Sequence, residues 1–195
     1  PSDLWIGDQR HPVLYRSLEH EGRRVVLVVN DALFDRPHPY VDEQGRDYPD
    51  SVARFSFFCR AVLEYYRFAE EPPRLFHVHD WQAGLTPAYM RYSGIQRPSI
   101  VTIHNIAFQG HFGAEVFGGL ELPTYAFALD GVEYYGGVGF LKAGLANASA
   151  ITTVSPTYAE EIRAAAYGMG LEGLINTRAR VLSGIVNGID TDVWN

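Results

Sequence analysis

Five short apolar runs rich in β-branched residues recur along this chain, separated by stretches of helical or loop character. The runs are Arg24–Asn30, Leu75–His79, Ser99–Ile103, Ala150–Val154 and Val181–Val186. Each is too short for a helix and lacks the polar alternation of a half-exposed strand, so each reads as a buried strand. A helix around Ala83–Tyr92, ending near Gly94, follows the second run. Ser155 follows the fourth and reads as a helix cap, with Pro156 at the first helical position. Strands alternating with helices imply an α/β fold, a parallel sheet with right-handed crossovers and flanking helices.

Two further segments refine this reading. After a polar loop at Tyr40–Pro49, Asp50 stands ready to cap a helix. On it Phe55, Phe58, Cys59, Val62 and Tyr66 fall at helical spacing. Arg60, Glu64 and Arg67 take the other side, with Arg60 and Glu64 four apart. Glu71-Pro72-Pro73 ends that helix. Gly110–Gly144, by contrast, holds nine of the 19 glycines together with many aromatic residues. It is too long and too glycine-rich for a plain crossover and reads as a long loop with short helices.

Composition narrows the class of protein. With 195 residues, 47% of them apolar, the chain can build one sizeable core without a metal or disulfide staple. Its 16 basic and 23 acidic residues give a net charge of −7 with no basic block, so no nucleic-acid partner is expected. No apolar run reaches the roughly 18 residues of a membrane helix, and no membrane partner is expected. The single cysteine, Cys59, cannot form an internal disulfide, which suits a reducing compartment; it reads as a small buried hydrophobe. The chain begins at Pro1 without a signal-peptide pattern and reads as a piece of something longer.

In parallel sheets ligands gather beyond the carboxyl ends of the strands. Asp80 follows the second run, His104 and Asn105 the third, Ser155 the fourth and Asn187 the fifth. A carboxylate, an imidazole, a hydroxyl and two amides thus converge on one rim, a set suited to a ligand rich in hydroxyl groups. Each residue alone has a plainer role: Asp80 and Ser155 as helix caps, Asn187-Gly188 as a turn. The His77-x-His79 pair, with Asp80 beside it, could also open a metal site. The acid and histidine that a zinc hydrolase needs next are replaced by Trp81 and Gln82, so no metal is assigned. His77 and His79 read as packed in or beside the sheet.

At these same strand ends the chain resembles the bacterial glycogen synthases and plant starch synthases, glycosyltransferase family 5. The matching segments are His77–Arg91 (HVHDWQAGLTPAYMR), Thr102–Phe112 (TIHNIAFQGHF), Asp130–Ile162, Tyr167–Leu174 (YGMGLEGL) and Leu182–Asn195. Tyr48–Phe55 (YPDSVARF) resembles the family's Tyr-x-Asp segment. The resemblance implies a Rossmann-like parallel sheet with flanking helices, the incomplete N-terminal half of a two-domain GT-B fold. It also implies retaining transfer of glucose from ADP-glucose to an α-1,4-glucan, with no cofactor.

By resemblance, Asp80 and His104 are the catalytic residues, and Tyr48, Asn105 and Asn187 bind substrate. Tyr48 would line the acceptor side and Asn187 would bond a sugar 6-hydroxyl. The family's Lys-Thr-Gly-Gly-Leu loop, the first βαβ unit and the C-terminal nucleotide-binding domain are expected to lie outside residues 1–195. Family members often carry a polar side chain where Gly137 stands. The resemblance places such a protein in the bacterial cytoplasm, or in a plastid if it comes from a plant. The isolated piece is expected to be inactive and to self-associate through an exposed sheet edge. A glucan-binding module without catalysis, and a His-x-His metallo-hydrolase, are the alternatives.

Overall fold

The computed structural model describes residues 2–194. The first strands form a meander of which the apolar runs announce only the third. β1 (Ser2–Ile6), β2 (Gln9–His20) and β3 (Arg23–Val29) pair antiparallel in that order. Glu21 and Gly22 link β2 to β3 with φ of 50° and 71°. Two consecutive positive φ values match the twist of a two-residue hairpin. β3 therefore belongs to a separate antiparallel sheet, not to the parallel one, and Leu27 on it is exposed. The expectation of a buried strand at Arg24–Asn30 is corrected: among the described residues, β3 lies at the edge of its sheet and is paired on one side only.

α1 (Asp31–Phe34) is capped by Asn30, whose side chain accepts from the Leu33 N–H. α2 (Ser51–Phe68) starts after Asp50, but the Asp50 carboxylate does not cap it. Arg36 takes that carboxylate in an ion pair instead. The helix is buried on two sides rather than along one stripe. Phe55, Cys59 and Leu63 pack toward the parallel-sheet side, whereas Phe57 and Ala61 pack against Leu4, Ile6 and Val13 of the meander. α2 is thus the wall between the two sheets. Phe58 and Val62 are only half-buried. Arg60 and Glu64 do not pair with each other: Arg60 donates to the Trp5 carbonyl, and Glu64 faces Arg67 at 3.6 Å.

The parallel sheet follows the expectation closely. β4 (Phe76–His79) leads through a 3-10 turn, Trp81–Ala83, into α3 (Thr86–Tyr92), and β5 (Ser99–Ile103) pairs parallel with β4. Between β5 and the next strand of this sheet, the glycine-rich stretch does contain short 3-10 helices, at Ala114–Leu120 and Thr124–Ala126. It also builds a small antiparallel sheet from β6 (His111–Phe112), β7 (Glu133–Tyr134) and β8 (Gly137–Gly139), in the order β6-β8-β7. α4 (Phe140–Asn147) then returns to the sheet. The buried Lys142 pins this excursion, its ammonium donating to the carbonyls of Leu129 and Gly131.

β9 (Ala150–Thr153), α5 (Pro156–Glu161), α6 (Glu172–Thr177) and β10 (Leu182–Gly184) complete the chain. The sheet order is β10-β9-β5-β4, all pairs parallel. Ser155 caps α5 through the Tyr158 N–H at 2.9 Å, with Pro156 at the first turn, as its position before the proline implies. The last strand is shorter than the apolar run. Ile185 and Val186 are exposed, and only the Ile185 N–H still bonds back, to the Thr153 carbonyl. Asn187-Gly188 lies in irregular chain rather than in a turn; the turn comes at Thr191–Val193.

Cys59 is fully buried, and burial pushes its thiol up to about 11, in keeping with its reading as a small hydrophobe. No helix among the described residues is long and apolar enough to cross a membrane.

Backbone contact between the 3-10 turn and α4 brings the strand-end rim close to the core. A Cβ at Gly84 would strike the carbonyl of Phe140, and a Cβ at Gly144 would lie 2.8 Å from the carbonyl of Gly84. Gly84→Ala is therefore expected to cost about 1–3 kcal/mol of stability, as overpacking against rigid backbone does. Urea unfolding would measure it, and a variant as stable as the parent would contradict the close approach.

Candidate functional site

The rim is built at the point where β4 and β5 end side by side. Asp80 leaves β4 with φ 53° and ψ −166°, a conformation that costs a side chain about 1–3 kcal/mol and that glycine adopts freely. Two bonds hold it there. The Asp80 N–H donates to the Thr102 carbonyl at 2.9 Å, and Asp80 Oδ1 accepts from the His104 N–H at 2.8 Å. Asp80 occupies the cap position of the 3-10 turn, yet its side chain makes no capping bond; it spans to β5.

His104 is thereby fixed at its backbone, and its ring is fixed too. His79 Nδ1 lies 3.0 Å from His104 Nε2, so one ring donates and the other accepts. His79 also stacks on His77, ring centroids 4.4 Å apart. His77 Nε2 meets Thr102 Oγ1 at 2.6 Å, which in turn meets Thr152 Oγ1 at 2.6 Å. A polar ladder therefore crosses the sheet surface from β9 through β5 to β4. Both histidines of β4 are exposed along a groove, not packed away. The correction has a plain cause: β4 is the last strand of its sheet among the described residues, so the face beside it stays open. The two rings engage these partners rather than converging on a common point. Among the described residues, no cluster of three or more His, Cys, Asp and Glu could hold a metal ion.

Asn105 turns the chain after His104. Its side-chain oxygen accepts from the Ala107 N–H at 3.0 Å, leaving the amide nitrogen to the exposed side. Asn187, beyond β10, is exposed. Tyr48 stands apart from the groove that runs along β4. The guanidinium groups of Arg36 and Arg54 sit 4.7 and 5.0 Å from its ring centroid. Arg54 itself lines that groove together with His77, His79 and Asp80. The structure thus brings Asp80, His104 and Asn105 together, leaves Asn187 on the exposed segment after β10, and ties Tyr48 to the groove through Arg54.

Three contributors escaped the sequence reading. His79 reads in the sequence as half of a possible metal pair or as packed beside the sheet, and its contact with His104 follows from the parallel pairing of β4 with β5. Trp81 anchors the rim from below: its ring meets Phe55 at 4.7 Å, Phe112 at 5.9 Å and Phe140 at 6.1 Å. Any Cβ on Gly110 would strike it, which is why the chain after the rim must pass this point as glycine, at φ 59°. Arg54 is buried and donates to the carbonyls of Leu33 and Pro39 at 2.8 and 2.9 Å. Burial, reinforced by Arg36, lowers its affinity for a proton.

The local chemistry gives two measurable outcomes. Asp80→Gly and Asp80→Ala both lose the carboxylate, but only glycine relaxes the backbone. Asp80→Gly is expected to be the more stable by about 1–2 kcal/mol, once glycine's greater freedom in the unfolded chain is deducted. Equal urea midpoints would contradict the strain. For His79, partial desolvation of the ring within the groove, with His77 and His104 adding to it, lowers the imidazole pKa below 6.5. The unfolded chain then takes up the proton first. His79 favours the fold fully above pH 6.5 and progressively less as pH falls through its folded value. Unfolding midpoints between pH 7.5 and 5.5 should therefore fall more steeply for the parent than for His79→Asn; parallel slopes would contradict this.

The chain is also similar to known proteins. A family model described as the starch synthase catalytic domain matches residues 3–177. A glycogen synthase of Rhizobium etli is 57% identical over 182 residues, covering 91% of this chain and 38% of the relative. One from Mesorhizobium japonicum is 57% identical over 175 residues, covering 87% and 36%. The chain thus spans well under half the length of these relatives. Among solved structures, the catalytic domain of starch synthase IV from Arabidopsis thaliana, bound to ADP and acarbose, superposes with a TM-score of 0.82 at 28% identity. That likeness covers 99% of this chain and 40% of the other. With the family model spanning most of its length, the chain belongs to the starch synthase catalytic domain family.

Proposed function

We propose that this chain is the acceptor-side part of a retaining glucosyltransferase that extends an α-1,4-glucan with glucose from ADP-glucose. The observation that carries the reading is the rim where Asp80 holds the His104 N–H at 2.8 Å and His79 holds the His104 ring at 3.0 Å. Glycosyl transfer develops positive charge at the anomeric carbon, and prealigned negative or dipolar groups near that carbon stabilise it. The Asp80 carboxylate is such a group, and its fixed backbone keeps the His104 turn in register with it. His104 would lie against the transferred glucose. Asn105 and Asn187 carry amides that both donate to and accept from sugar hydroxyls. Tyr48 would face the acceptor chain. No step in this reading calls for a metal or another cofactor.

The nucleotide half of the reaction falls to parts outside this chain: an earlier βαβ unit with its phosphate-reaching loop, and a following nucleotide-binding domain. The bacterial relatives favour the cytoplasm as the site of action. Two outcomes test the reading. The chain alone should incorporate no glucose from radiolabelled ADP-glucose into glycogen. Spliced into the flanking parts of the Rhizobium etli relative, it should do so, with Asp80→Asn lowering kcat by about a hundredfold. Transfer by the chain alone would overturn the division of labour. An inactive splice, or one indifferent to Asp80→Asn, would overturn the catalytic reading and favour a glucan-binding module.

The open side of β4 adds a consequence. Beside it runs a groove of about 630 Å³ lined by Phe34, Phe55, Phe58, Val62 and Phe76. An unpaired parallel edge next to apolar side chains invites pairing with another chain. Light scattering of the isolated chain at high concentration should report dimers or larger species, and a clean monomer would count against this.

A further inference from the structure

The turn after β5 carries His104 and Asn105, and its backbone amides show what holds it. The His104 N–H donates to Asp80 Oδ1 at 2.8 Å, and the Ile106 N–H donates to the Tyr158 hydroxyl oxygen at 2.9 Å. The Ala107 N–H goes to Asn105 Oδ1 at 3.0 Å and the Phe108 N–H to the Asn105 carbonyl at 3.2 Å. The last two bonds stay inside the turn, whereas the first two reach outside it. β5 lies between β4 and β9 in the sheet; Asp80 follows β4, and Tyr158 stands on α5, which follows β9. A side-chain oxygen from the end of each neighbouring strand unit therefore braces the turn.

The Tyr158 brace is built from the capping chemistry of α5. Ser155 accepts from the Tyr158 N–H at 2.9 Å, which fixes the first turn of the helix and with it the point from which the Tyr158 side chain starts. The ring packs on the apolar cluster that holds Ile103, Ile106 and Ile162. A phenol has only two side-chain torsions, so an oxygen at the end of a packed ring has little freedom to move. Ser155, placed on the strand-end rim by its position in the chain, thus serves that rim through the residue it caps.

Removing the Tyr158 oxygen has a defined consequence. Ile106 is buried, so its N–H would be left without a partner unless the turn moved. His104 and Asn105 are the two residues just before it. A displacement of about 1 Å at groups that meet a reacting sugar costs about a hundredfold in rate. Tyr158 does not line the groove beside Asp80, so it acts on the site through the turn.

We propose that Tyr158 is a positioning residue for glucosyl transfer: its hydroxyl, through the Ile106 N–H, sets the placement of His104 and Asn105 against the sugar. The role rests on the function proposed above.

Tyr158→Phe deletes the oxygen and keeps the packed ring. In the 195-residue chain, hydrogen-exchange NMR should find the Ile106 amide exchanging about tenfold faster or more, and the His104 and Asn105 amide signals displaced, with Val101 and Ile103 in β5 unchanged. In the splice with the Rhizobium etli relative, kcat per folded enzyme should fall about tenfold or more, while KM for ADP-glucose and for glycogen stays within about threefold. Arg163→Met controls for stability. Arg163 links Glu160 of α5, at 2.7 Å, to Asn176 of α6, at 3.1 Å, and its loss should lower the melting temperature without changing kcat. An equal fall in kcat for Arg163→Met would overturn the proposal by assigning the effect to the packing of α5. Unchanged kcat in Tyr158→Phe, with Asp80→Asn still harmful, would overturn the positioning role and leave the proposed function standing. A splice indifferent to both Tyr158→Phe and Asp80→Asn would overturn the proposed function and this role with it.

Discussion

The contact on which the rest of the site depends is one hydrogen bond between the ends of two parallel strands, from the His104 N–H to Asp80 Oδ1. It joins β4 to β5 where their ladder stops, and it is made by a residue in a backbone conformation that favours glycine. A chain selected for stability alone would place glycine there. Aspartate at that point means the strain is offset locally, by the Thr102 carbonyl on one side and the His104 amide on the other. The gain is a carboxylate and an imidazole held in one place before any ligand arrives, which is the form of preorganisation that charge-stabilising sites need.

That arrangement needs a firm base, and the neighbouring packing supplies it. Trp81, the next residue, sits among Phe55, Phe112 and Phe140, so the rim stands directly on the aromatic core. Gly84 and Gly144 let α4 approach the 3-10 turn at backbone distance. α2 ties the meander to the other side of the same core through Phe57 and Ala61. Local strain at Asp80 is therefore held by a surround that cannot easily shift, since packed interiors resist small displacements.

Much of this was legible in the residues, and the exceptions have physical causes. β5 is read with both ends correct because Ser99–Ile103 is a continuous apolar run in the middle of its sheet. Ser155 and Pro156 declare the start of α5 by chemistry that acts within three residues. β1, β2 and the antiparallel pairing of β3 are invisible to the same reading because these strands are largely exposed and lie outside the parallel sheet. Their signals are a Gly22 turn and alternation broken by Pro12. The Arg60–Glu64 spacing is right for a helix pair, but a tertiary partner, the Trp5 carbonyl, takes Arg60 away. At the site, position along strand ends finds Asp80, His104 and Asn105. It cannot find the His79–His104 contact, which exists only because β4 and β5 are neighbours in parallel register.

The most direct measurement is the exchange of a single proton. The His104 side chain is exposed, so an amide in an ordinary loop at that position would exchange freely with solvent. If Asp80 holds that amide, hydrogen-exchange NMR should find it protected in the parent chain, and Asp80→Ala should release it to loop-like exchange while the amides of Val101 and Ile103 in β5 keep theirs. A His104 amide that exchanges freely in the parent, or that stays protected in Asp80→Ala, would contradict the account.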